Sequence, residues 1–171
     1  MYTIVGLGNP GAEYENTRHN AGRAAVATLK DISAKLVTPD TFMNKSGDAV
    51  KPLIKSAKQA EQLIVIHDDL DLPFGKFKIS FNKSAGGHRG VESIVKAIKT
   101  QAFVRIRIGI SPMTPSGKLK KPKGEEAVEH HILGKFKPSE LSELKKMHKK
   151  IDEAVAFIIS DGREKAMSQF N

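Results

Sequence analysis

Short apolar runs alternate along this chain with segments whose apolar residues recur every three or four positions. A run buried on both faces suits an interior strand of a parallel sheet, and the second pattern suits an amphipathic helix. Strands and helices in alternation give an α/β domain, because each parallel pair needs a crossover that packs back on the sheet. Tyr2–Gly6, Ala34–Val37, 63–67, 76–81 and 104–110 read as strands, the fourth at an edge because of its lysines. In 104–110, Val104, Ile106, Ile108 and Ile110 alternate with Arg105 and Arg107, which marks one basic face. Helices are expected over 21–30, 91–98 and 138–160. The first would be capped by Asn20 and turn Ala24, Ala25, Thr28 and Leu29 inward. A further helix is expected over about 44–57, with Val50, Leu53, Ile54 and Ala57 on one face and Pro52 bending it or shifting its start. The expected fold is one α/β domain over 1–171, with a mixed, mostly parallel sheet flanked by helices on both faces.

Such sheets bind ligands at the carboxyl ends of their strands, so chemistry is sought in the loops after Gly6, His67 and Ile110. The available chemistry is narrowed by the absence of cysteine, which removes thiolate nucleophiles and thiolate metal sites. Twenty-eight basic residues against 19 acidic give a net charge of +9, which favours a polyanionic partner. With no Trp and two Tyr, recognition of a phosphate backbone fits better than base stacking on single strands. No apolar run is long enough to span a bilayer, and the first is too short for a signal peptide, so a cytoplasmic protein without membrane attachment is expected.

GLGNPG (6–11) spells a dinucleotide fingerprint after a strand, but polar AEYENTRHN follows where an apolar helix should open, and Pro10 lacks the amide a pyrophosphate needs. The glycines instead suit a sharp turn that holds Asn9 at a pocket floor. His19 ends this loop, and HDDLD (67–71) ends the next strand. A carboxylate there can fix the tautomer of His19 and raise its basicity. The same cluster could also cap a turn or bind a metal; metal is the weaker reading because no second set of spaced ligands follows. Asn44 in TFMN could simply cap a helix. SAGGHRG (84–90) enters a helix and is either a connector or an anion site built on free amides. Lys118, Lys120, Lys121 and Lys123 form either a solvated loop or a phosphate-contacting one.

Together, VGLGNPG with EYENTRHNAG, TFMNKSG, HDDLDLPFGKFK, GGHRGV, FVRIRIGI and ILGKF resemble the bacterial peptidyl-tRNA hydrolase family, in its order and from Ile4 to Phe136. The resemblance implies a monomer, with no cofactor or metal, that hydrolyses the ester between a peptide and the 3′-terminal ribose of tRNA. It makes His19 the general base for water, Asp68 its orienting partner, Asn9 the reader of the N-blocked peptide and Asn44 a donor to substrate and oxyanion. Tyr14, Phe42 and Met43 would line the channel for the 3′ end, and Lys76 and Arg107 would meet acceptor-stem phosphates. His88 and Arg89 also fall among the substrate-contacting positions.

Two departures stand out. The segment 31–40 is short where relatives carry about two strands and a loop, so a strand pair could be missing. Arg89 replaces an Asn; having donors only and a fixed charge, it cannot hold water as an Asn does and is expected to grip a phosphate near the 3′ end. Some relatives bind RNA as splicing or assembly factors without hydrolysis, which is the alternative reading.

Overall fold

The computed structural model describes residues 1–171. Five strands, β1 (Tyr2–Gly6), β2 (Ala34–Val37), β3 (Leu63–Pro73), β4 (Phe77–Phe81) and β5 (Val104–Ser111), form one sheet in the order β2-β1-β3-β5-β4. All pairs are parallel except β4 with β5. The short 31–40 segment supplies a single strand, β2, which takes the edge beside β1.

β3 is central, and its alternate residues serve two cores. Ile64 and Ile66 pack with Ile4, Ile106 and Ile108 beneath α1 (Ala21–Thr28) and α6 (Pro138–Asp161). Leu63 and Val65 pack on the other face with Val5, Leu7, Val91 and Ile94 of α4 (Arg89–Ile98). Burial on both faces explains the unbroken LIVI run. The strand continues beyond the expected His67 to Pro73, which carries the acidic cluster along the sheet instead of into a turn.

The expected 44–57 helix is two short ones. A 3₁₀ turn at Met43–Lys45 leads into α2 (Ser46–Val50), and a separate α3 (Ala57–Glu61) is capped by Ser56, whose side chain accepts from Gln59 N. Pro52 cannot donate into a helical ladder, so the helix ends there instead of bending, and Ala57 is exposed. In α1 the buried face is Ala21, Gly22, Ala25 and Val26; Thr28 is exposed and Ala24 half-buried. Asn20 precedes α1 but makes no side-chain cap.

Two helices have no counterpart in the sequence reading. α5 (Glu125–Leu133) has no buried residue. α7 (Arg163–Phe170) ends on Asn171, whose side chain accepts from Ile79 N at 2.8 Å and donates to Ile79 O at 2.9 Å. That bracing satisfies part of the open edge of β4.

Candidate active site

Asp68 lies midway along β3, two residues past its last pairing with β1, is 2% exposed, and accepts from two imidazoles. His19, in a 3₁₀ turn ahead of α1, places Nδ1 2.8 Å from Asp68 Oδ2. His88, in the loop before α4, places Nε2 2.8 Å from Oδ1. The expected His19–Asp68 pair is therefore present, while His88 as a second partner of the same carboxylate was not foreseen.

Close approach of α1 to the sheet makes the first contact possible. A Cβ on Gly22 would collide with the Ile66 carbonyl and come within 3.0 Å of His67 Cα. Gly22→Ala should therefore push α1 off β3, destabilise the fold by about 1–3 kcal/mol and loosen His19 from Asp68. Chemical denaturation with parallel kinetics checks this; unchanged stability and kcat would contradict it.

The bonding fixes the tautomers. Val91 N donates to His88 Nδ1 at 3.3 Å, so the His88 proton sits on Nε2 and points at Asp68. His88 then has no lone pair directed at the centre, although His19, Asp68 and His88 cluster as metal ligands do. His19 likewise donates from Nδ1 to the carboxylate, leaving the Nε2 lone pair without a protein partner. Burial disfavours the charged form of His19, but the charge and hydrogen bond of Asp68 outweigh it and raise its pKa above the ordinary value, with Arg89 opposing. Burial also opposes the Asp68 charge, yet His19 and His88 together hold that carboxyl far below the usual range.

Asn9 is fixed from three directions. Its backbone N donates to Asn20 Oδ1 at 2.8 Å, and Asn20 Nδ2 returns a bond to Asn9 O at 2.9 Å. This clamp is what Asn20 does in place of capping α1. Met43 N donates to Asn9 Oδ1 at 2.8 Å. A backbone N–H can only donate, so the Asn9 NH₂ must face the cleft as a donor. The expected turn at the glycines is also corrected: of Gly6, Gly8 and Gly11 only Gly11 has positive φ. Gly6 and Gly8 are needed for proximity, since a Cβ would meet Gly22 O at 2.5 Å and Asn20 Cγ at 2.9 Å respectively.

These groups open into a cleft of about 450 Å³ lined by Asn9, His19, Met43, Asn44, Asp68 and His88, among others. The Asn44 side chain is exposed at its rim and bonds to no protein atom. Phe42 is 55% exposed, with Tyr14 edge-on to it at 6.3 Å, whereas Met43 is 5% exposed and supports the floor. α5 forms the opposite wall through Glu125, Val128, Glu129 and Ile132. Arg89 reaches across to Glu125, 3.3 Å away, with side chains 70% and 85% exposed. Lys121, from the basic loop, pairs with Asp71 at 2.6 Å.

Three sequence expectations change here. The basic face of β5 is turned inward. Arg107 donates to Asp69 at 2.8 Å and Ser80 at 3.2 Å and is 17% exposed, and Arg105 is 4% exposed. Lys76, in contrast, is exposed in the turn between β3 and β4. The amides at the SAGGHRG helix start are only partly free, because His88 N donates to Ala85 O and the His88 imidazole occupies Val91 N just beyond the segment. The absence of further metal-type ligands also fails, because His88 arrives from a distant loop.

The whole chain is similar to known proteins. The peptidyl-tRNA hydrolase family profile matches residues 3–35 and 27–171, in two pieces that divide near the shortened segment. Peptidyl-tRNA hydrolase of Bdellovibrio bacteriovorus is 37% identical, with 100% of each chain covered; the alignment runs over 195 positions, so the relative carries residues absent here. That of Aquifex aeolicus is 40% identical over 98% of this chain and 95% of its own. The crystal structure of peptidyl-tRNA hydrolase from Acinetobacter baumannii superposes with a TM-score of 0.83 at 33% identity, covering 100% of this chain and 94% of that one. An endopeptidase from Escherichia coli, 11% identical with a TM-score of 0.54, shares the fold alone. On sequence, fold and the geometry around Asp68, the chain belongs to the peptidyl-tRNA hydrolase family.

Proposed function

We propose that this chain hydrolyses the ester joining a peptide, or an N-blocked amino acid, to the 3′-terminal ribose of tRNA. The observation that carries the reading is the buried Asp68 holding His19 with Nδ1 protonated and Nε2 open to the cleft. His19 Nε2 takes a proton from water as the oxygen attacks the ester carbonyl, and the imidazolium returns it to the departing ribose oxygen. Asp68 stabilises the imidazolium between those steps. The unpartnered amide of Asn44 at the rim suits a donor to the developing oxyanion, worth about 10²–10³-fold. The Asn9 NH₂ suits a peptide carbonyl, which an N-blocked substrate has and a free aminoacyl ester lacks. Arg89 exchanges its exposed partner Glu125 for a phosphate near the 3′ end, an exchange that costs little because such surface pairs contribute about 0–1 kcal/mol. The relatives are hydrolases by name over the full chain, so a purely RNA-binding role has no support.

Incubation with N-acetylaminoacyl-tRNA and with free aminoacyl-tRNA tests this directly. The first should release tRNA and N-acetyl amino acid, and the second should be largely spared. An intact N-blocked ester would refute the proposal.

The net charge of +9 implies phosphate contacts, so log KM should respond to log[salt] with a slope of about 0.7–0.9 per contact. Lys76→Ala should flatten that slope by about one contact. Arg107→Ala should do less to the slope and more to stability, because Asp69 loses its half-buried partner. Equal salt slopes in the wild type and Lys76→Ala would remove Lys76 from the interface.

A further inference from the structure

Behind Asp68 lies a buried polar pair that the proposed reaction does not use. His67 is 1% exposed and Arg105 4% exposed. His67 shares the parity of Leu63 and Val65, so its ring lies on the α4 face of the sheet, edge-on to His88 at 4.7 Å. Its Nδ1 meets the Asp68 carbonyl at 2.7 Å, and its Nε2 faces Arg105 Nη1 at 3.5 Å. The second terminal nitrogen of Arg105, Nη2, donates to Ser84 O at 2.7 Å, at the start of the loop that carries His88.

We infer that Arg105 and His67 are positioning residues for the reaction, setting the geometry of Asp68 and His88 and through them the basicity of His19. The inference rests on the hydrolase reading for its kinetic consequences, but its structural core does not. A guanidinium has donors only, so His67 must offer it the lone pair of Nε2. The proton is left on Nδ1, where it bonds the Asp68 carbonyl. The opposite tautomer would set a lone pair against a carbonyl oxygen and an N–H against a cation. Burial, then the neighbouring His88 and Arg105, holds His67 well below the ordinary histidine pKa, against smaller opposing contributions from Asp68. A neutral His67 matters for catalysis, because an imidazolium there would draw on the Asp68 charge that His19 requires. Arg105 thus excludes a competing cation, anchors the Asp68 peptide through His67 and pins the His88 loop through Ser84. Around His19 itself the charged and titratable neighbours are Asp68, His88 and Arg89. None of them replaces the support under the Asp68 peptide.

Two measurements test this. In His67→Leu the Asp68 peptide loses its donor. kcat on N-acetylaminoacyl-tRNA should fall about tenfold, a fraction of the 10²–10⁴ that a placed general base supplies, with KM little changed. The acidic limb of the pH–rate profile should move to lower pH as the hold on His19 weakens. In His67→Asn the amide NH₂ can occupy the place of Nδ1–H, so most of kcat and the original limb should return. A His67→Leu protein with wild-type kcat and limb would overturn the inference, as would a loss undiminished in His67→Asn. The second measurement needs no substrate and no variant: imidazole ¹⁵N shifts of the wild-type protein at neutral pH. His67 should be neutral and protonated on Nδ1; an Nε2–H tautomer or an imidazolium would overturn the inference even if the protein hydrolyses peptidyl-tRNA as proposed.

Discussion

His19→Ala should lower kcat on N-acetylaminoacyl-tRNA by about 10²–10⁴-fold while KM changes by no more than a few-fold. The asymmetry follows from where the residue sits. His19 is buried at 8% exposure and its Nδ1 is fully engaged by Asp68, so only Nε2 faces the cleft. In the proposed reaction that atom acts on a water proton in the transition state, so its loss should fall on kcat and not on tRNA binding. The truncated side chain also leaves α1 in place, because Gly22, not His19, seats the helix on β3. A kcat within a few-fold of wild type would remove His19 from the chemistry, and a rise in KM alone would make it a binding residue.

Asp68→Asn should cost about as much, again roughly 10²–10⁴-fold in kcat, although a residue that only orients the base would be expected to matter less. The structure changes that expectation because Asp68 accepts two N–H bonds, one on each oxygen. An amide has one oxygen, so its NH₂ must confront one imidazole. If it faces His19, that ring must present a lone pair at Nδ1 and carry its proton on Nε2, where no base remains. If it faces His88, that ring must move its proton to Nδ1, which already accepts from Val91 N. Either outcome disables the site or the start of α4, and the attraction that raises the His19 pKa is lost with the charge. Circular dichroism with steady-state kinetics checks this: a folded Asp68→Asn protein retaining more than about a tenth of wild-type kcat would contradict it.

Much of this was legible in the residues, for identifiable reasons. The LIVI run of β3 is buried on both faces, so it carries its own signature, and Asp68 follows just past the carboxyl end of the neighbouring β1, where α/β sites form. The His19–Asp68 pair could be inferred because His19 closes the loop after β1 and Asp68 follows the apolar run of the neighbouring strand β3. The link from His88 to Asp68 could not. It depends on a loop in which Gly86 and Gly87 both have positive φ, and on the reach of a side chain across the sheet end. α5 was missed because it buries no residue fully and offers periodicity little beyond the pair Val128 and Ile132, even though it forms a wall of the cleft. Arg105 and Arg107 misled for the converse reason. Alternation gave their face correctly, but partners distant in sequence (Asp69, Ser80, His67 and Ser84) decide that the face is inward.

The central claim, that an Asp68-held His19 is the base, is tested most directly by the pH dependence of kcat/KM for N-acetylaminoacyl-tRNA, which reports the base of the free enzyme. Asp68 raises the His19 pKa in the folded protein, so the neutral, active base is lost at a higher pH than for a free imidazole. The acidic limb should therefore lie above the ordinary histidine value of about 6.5, and should be absent from the residual activity of His19→Ala. A wild-type profile flat from about pH 5 to 8, or the same limb persisting in His19→Ala, would contradict the account.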